Sequence, residues 1–69
     1  AAVDRARAVS LIRAAADAGL PEGQHTLAGL YAQGNGVPHD PGLARRWYGK
    51  AAAQGFSPSR LELANILQN

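Results

Sequence analysis

Displaced against itself by 36 residues, this chain meets its own image. Asp4, Ala8, Ala15, Ala16, Gly19, Leu27 and Ala28 fall on Asp40, Ala44, Ala51, Ala52, Gly55, Leu63 and Ala64. Leu11, Ile12, Leu20 and Leu30 meet the apolar Trp47, Tyr48, Phe56 and Ile66. A fixed period of this size marks a stacked repeat, in which one unit cannot bury its apolar face alone and its neighbours complete the core. Function in such chains lies in an extended surface rather than in a catalytic pocket.

The apolar spacing inside each copy is helical. Ala8, Leu11, Ile12, Ala15 and Ala16 recur at three- and four-residue steps on one face of a helix from Asp4 to Ala18. Asp4 is its expected N-cap, Gly19 its stop and Pro21 a bar to continuation. A second helix is expected from Pro21 or Glu22 to Gln33, burying Leu27, Leu30 and Tyr31. The triplet Gly34, Asn35, Gly36 breaks it, since these residues tolerate positive φ. Asp40 and Pro41 then read as cap and first turn of a third helix, which presents Ala44, Trp47, Tyr48, Ala51 and Ala52 to the core and ends at Gly55. Ser57 and Pro58 open a fourth, carrying Leu61, Leu63, Ala64, Ile66 and Leu67. With no run of β-branched residues, the expected fold is all-α: four helices in stacked hairpins joined by short turns. Both ends of such a stack should expose apolar surface.

At 69 residues the core is small, and a domain of this size buries only about 60% of its unfolded surface. Cysteine is absent, which excludes a disulfide framework, a thiolate metal site and a cysteine nucleophile. Seven Lys and Arg against five Asp and Glu leave a charge of +2, too little for a nucleic-acid footprint. Every apolar stretch is interrupted well short of the roughly 20 residues of a membrane span. The chain starts without methionine or a signal peptide, as a section excised from a longer protein would, so its compartment is unknown.

The segment Leu27-Ala28-Gly29-Leu30-Tyr31, followed by Gly34-Asn35-Gly36-Val37, Asp40, Ala44, Trp47-Tyr48 and Lys50-Ala51-Ala52-Ala53-Gln54-Gly55, resembles the Sel-one-like repeat, a relative of the tetratricopeptide repeat with a longer hairpin loop. The resemblance spans the chain and implies an α/α solenoid: residues 1–19 as the second helix of one unit, 20–55 as a full unit, and 56–69 as the first helix of the next. It also implies an adaptor or scaffold role. Departures are few. Leu11 and Ile12 replace the aromatic pair, Gly49 replaces a polar helix former at a cost of about 1 kcal/mol, Gly23 and Ser59 replace a small alanine, and Asn65 and Leu67 replace glycine and tyrosine.

Chemistry is sparse. His25 and His39 have no second ligand at helical spacing, so no metal or other cofactor site is expected. Ser10, Ser57 and Ser59 lie in no nucleophile elbow and have no assignable base, and Gly34-Asn35-Gly36 lacks the strand and the Gly-Lys-Ser/Thr of a phosphate loop. The sequence therefore points to a non-enzymatic module that holds a protein or peptide partner. The helix from Pro21 and its repeat image supply the expected surface through Gln24, His25, Ala28 and Arg60. On the third helix Arg45, Arg46 and Lys50 are basic, with Arg46 and Lys50 on one face: a solvated outer face by default, and otherwise a docking patch for an acidic protein, a polysaccharide or a lipid headgroup. Trp47 and Tyr48 are expected in the core, which removes the aromatics that could stack bases. A structural spacer or self-assembly segment of a longer solenoid, associating through its apolar ends, is the competing reading, and the resemblance adds as remote ones a cell-envelope-associated regulator or a hydrolase of cell-wall-related substrates, for which no catalytic set is assignable.

Overall fold

The computed structural model describes residues 4–68; the outermost positions of the two terminal repeat segments, 1–3 and 69, lie outside them. Four helices account for most of what is described: α1 (Arg5–Asp17), α2 (Pro21–Gln33), α3 (Pro41–Ala53) and α4 (Ser57–Gln68). α2 packs between α1 and α3, and α4 packs on α3, so neighbours in sequence are neighbours in space.

The caps repeat with the sequence. Asp4 Oδ1 accepts the Arg7 amide at 3.1 Å, and Asp40 Oδ1 accepts the Leu43 amide at 3.1 Å, each satisfying a donor that the helix leaves orphaned. At the other ends Gly19 and Gly55 adopt φ of 90° and 85°. Around them the same pair of hydrogen bonds forms twice: Gly19 N to Ala16 O with Leu20 N to Ala15 O, then Gly55 N to Ala52 O with Phe56 N to Ala51 O. This is the Schellman arrangement, and all four partners shift by 36 residues. The connection between the copies is held as firmly. Gly34 ends α2 in the left-handed region, the Asp40 amide closes the loop on Tyr31 O at 3.0 Å, and Gly36 lies so near α1 that a Cβ on it would stand 2.9 Å from Val9 Cγ2.

The buried apolar residues are Ala16, Leu27, Ala28, Tyr31, Ala44, Tyr48 and Ala51. Alanine supplies four of the seven, which lets the helix axes approach closely. Glycine extends that logic at Gly23, where a Cβ would meet Ala15 Cβ at 2.7 Å and the Ala16 nitrogen at 2.8 Å. Its image Ser59 is fully buried with a side chain, so the α3–α4 crossing leaves room that the α1–α2 crossing does not.

The expected apolar stripes are wider than the buried ones. Leu11 is 66% exposed, Leu61 68% and Leu67 59%, and Ala64 is exposed as well. Each sits on an outer helix whose far side has no neighbour among the described residues. Trp47, the image of Leu11, is half-buried and packs on the core.

Candidate functional site

The structure revises the surface expected from α2. Ala28 has no exposed area and Gln24 is 6% exposed, because both face the α1 and α3 sides of a helix that is covered twice. Gln24 is an internal connector: its Nε2 makes a long 3.5 Å bond to Ala16 O, and its Oε1 accepts from Gln54 Nε2 at 2.9 Å. Gln54 Nε2 also reaches Gly19 O at 2.9 Å, so one amide at the end of α3 ties the end of α1 to α2.

His25 is half-buried at the junction of α2, α3 and α4. Its Nδ1 lies 2.8 Å from Ser59 Oγ, and its ring meets Tyr48 edge-on at 5.3 Å and Phe56 at 5.4 Å. A histidine within hydrogen-bond reach of a serine has the outline of a base and nucleophile. Ser59 has no accessible surface for a substrate to approach, however, so the pair fastens α2 to α4. Burial is also what pushes the neighbouring Tyr48 phenol above its ordinary pKa of 10.0, with the Glu62 carboxylate adding to the rise.

Arg45, Arg46, Lys50 and Arg60 are open to solvent. Between Pro41 and Leu61 these four are the only charged residues. Lys50 Nζ stands 4.7 Å from the centre of the Trp47 ring, close enough for a cation–π contact. Two hollows flank the ridge formed by Arg46. The smaller, about 150 Å³, lies against Leu43, Trp47 and Lys50. The larger, about 500 Å³, lies between α3 and α4, lined by Gly42, Arg45, Arg46, Gly49, Leu63 and Leu67. Arg60 stands apart at the start of α4, beside Ser57 and Leu61.

Sequence reasoning named Arg45 with the basic residues of the third helix but missed its grouping with Gly49 and the two leucines around one hollow. The signal lay in the repeat itself, at positions where the copies disagree: Gly49 is the image of Arg13, and Leu67 of Tyr31. In the first hairpin the Arg13 guanidinium donates to the Tyr31 hydroxyl, joining α1 to α2 through long side chains that the second hairpin lacks.

Among the described residues no three His, Cys, Asp or Glu side chains gather where they could hold a metal ion, and no helix is long and apolar enough to cross a membrane. The Sel1 repeat family model matches residues 2–20 and 21–56. No curated protein and no solved structure matches the chain.

Proposed function

The chain belongs to the Sel1 repeat family, whose non-catalytic scaffold repeats mediate protein–protein interaction, and from that premise we propose that it is a docking module holding a protein segment on the outer face of α3 and the first turn of α4. Residues 20–55 act as its full unit, with 1–19 and 56–69 as halves of the units on either side. One observation carries the placement: Arg45, Arg46, Lys50 and Arg60 are exposed, uninterrupted by any carboxylate from Pro41 to Leu61, and set beside concave surface. Clefts with convergent polar groups are where side chains of a partner anchor, and cations at the rim steer its approach. Of the α2 residues that could have competed, Gln24 and Ala28 are buried and His25 is half-buried against Tyr48, Phe56 and Ser59.

Panning a phage-displayed random peptide library against the chain tests this. Enriched peptides should lose binding to an Arg46→Glu, Lys50→Glu, Arg60→Glu variant whose helicity is unchanged. Enrichment no greater than against an unrelated helical protein, or binding indifferent to the triple change, overturns the reading.

A second reading is favoured by a separate observation. Exposed Leu61 and Leu67 are the images of His25 and Tyr31, which α3 helps to cover, and exposed Leu11 is the image of Trp47, which helps to cover them. The two faces are thus complementary halves of the α2–α3 junction, and head-to-tail stacking of copies would bury both. Sedimentation equilibrium over a wide concentration range checks it: growth in mass coupled to helicity supports stacking, and a helical monomer throughout refutes it.

A further inference from the structure

We propose that the hollow between α3 and α4 receives one bulky apolar side chain of an acidic protein segment, whose flanking carboxylates meet Arg45 and Arg46. The inference rests on the docking reading above and names the chemistry of the partner.

The hollow follows from what the second copy has exchanged. At the equivalent place in the first hairpin, Arg13 and Tyr31 bridge the two helices, guanidinium to hydroxyl. Their images are Gly49, which has no side chain, and Leu67, which stops short of a ring, and about 500 Å³ stands open there. That volume lies within the range of ligand clefts and accommodates a phenylalanine or leucine side chain with room to spare. The floor is aliphatic, from Leu63 and Leu67, so it selects an apolar anchor.

The rim has changed in the same step. Val9 and Ser10 of the first copy become Arg45 and Arg46 in the second, so that two exposed arginines line the hollow in place of two uncharged residues. Guanidinium pairs with carboxylate in a bidentate, directional contact that ammonium cannot copy. One acid of the chain comes near the hollow: Asp40 Oδ1 would stand 3.4 Å from a Cβ on Gly42, which lines it. Asp40 spends its carboxylate on the Leu43 amide at the start of α3, and Glu62 lies where its charge acts on Tyr48. With Asp40 engaged as the cap, the exposed Arg45 and Arg46 are the groups an incoming acidic segment would meet.

The same features weigh against the other polyanions. A bilayer is flat and would leave the hollow unfilled. Single-stranded nucleic acid needs free aromatic faces to stack on, and the single tryptophan is half-buried with Lys50 drawn over its ring. A protein segment bearing both carboxylates and an apolar side chain uses rim and floor together.

The test is fluorescence anisotropy of a fluorescein-labelled peptide carrying one phenylalanine with two glutamates on each side, titrated with the 69-residue chain. Replacing the glutamates by glutamine, or the phenylalanine by alanine, should each weaken binding at least tenfold. Arg45→Gln with Arg46→Gln should do the same and flatten the salt dependence. Gly49→Arg is the sharper variant. A Cβ at Gly49 meets nothing within 4 Å, and arginine favours a helix, so the protein should fold at least as well while the hollow fills. Because the change adds a cation, attraction alone would tighten binding; occupancy of the hollow requires a loss of tenfold or more. Unchanged or tighter binding to Gly49→Arg overturns the proposal, as does failure of the acidic peptide to saturate. Comparable affinity for heparin or for phosphatidylserine vesicles at the same salt overturns it in favour of a general polyanion surface. Panned peptides that ignore Gly49→Arg but lose binding to the triple glutamate variant would overturn this site and leave the docking reading standing.

Discussion

Gly23 and Gly49 both sit inside helices, and the same substitution should move stability in opposite directions at the two. Alanine is about 1 kcal/mol better than glycine in a helix interior, and at Gly49 that gain comes free of contact, since a Cβ there meets nothing within 4 Å. Gly49→Ala should therefore stabilise by up to about 1 kcal/mol, a rise in Tm of roughly 4–8 °C for a domain of this size. At Gly23 the added Cβ would stand 2.7 Å from Ala15 Cβ, 2.8 Å from Ala16 N and 2.9 Å from Ala15 C. Two of those atoms are backbone, which cannot swing aside, so α1 and α2 must separate. Overpacking of this kind costs roughly 1–3 kcal/mol, and subtracting the propensity gain leaves Gly23→Ala destabilised by about 1 kcal/mol, within a range of roughly zero to two.

The assay is thermal and urea unfolding of the three proteins by circular dichroism, at one low concentration where sedimentation shows a single species. Helix propensity alone would raise both variants equally. That outcome would refute the close approach of α1 and α2 at Gly23, and with it the account of why glycine stands where Ser59 stands in the second copy.

Gln54→Ala should destabilise by about 1–2 kcal/mol in urea unfolding, because it frees Gly19 O and leaves the buried Gln24 Oε1 without its donor; an effect below a few tenths would show the connector to be ornamental. Leu27→Ala, at the one large apolar side chain with no exposed area, should cost about 2–5 kcal/mol and abolish cooperative melting, and a small loss with melting retained would mean that the core closes over the cavity. Tyr48 holds its proton more tightly folded than unfolded, so its contribution to stability is fully present below the unfolded pKa near 10 and is lost as pH rises through the folded value; NMR titration of its ring should place the midpoint above that of a denatured control, and coincident midpoints would contradict the burial.

Helix positions were legible in the sequence because caps are local. Asp4, Asp40, Gly19 and Gly55 act through backbone groups within a few residues, so their spacing alone places starts and stops close to those observed. Which face of each helix meets a neighbour is a longer-range matter. Leu11 and Trp47 occupy the same repeat position, yet one is exposed and the other half-buried, since only α3 has a hairpin beneath that side. Gln24 and Ala28 were misplaced for a related reason: a polar or small residue on α2 reads as surface until the helix is known to be covered on two sides. The pairing of His25 with Ser59 joins residues 34 apart, and only the fold brings them to 2.8 Å.

The two copies divide their residues by task. Where they agree, at Asp4 and Asp40, Ala15 and Ala51, Gly19 and Gly55, the shared residues make the same backbone bonds twice, and either copy would lose its turn without them. They differ at most other positions, and four of those differences line one groove: Val9 to Arg45, Ser10 to Arg46, Arg13 to Gly49 and Tyr31 to Leu67. The first set of residues packs a groove and the second opens and charges it. The first copy joins its two helices there through Arg13 and Tyr31, and the second leaves an open hollow with two exposed arginines in its lining. A carboxylate-bearing ligand, as proposed above, would give these four exchanges a single cause, whereas packing alone gives the second hairpin no gain from the loss of its bridge.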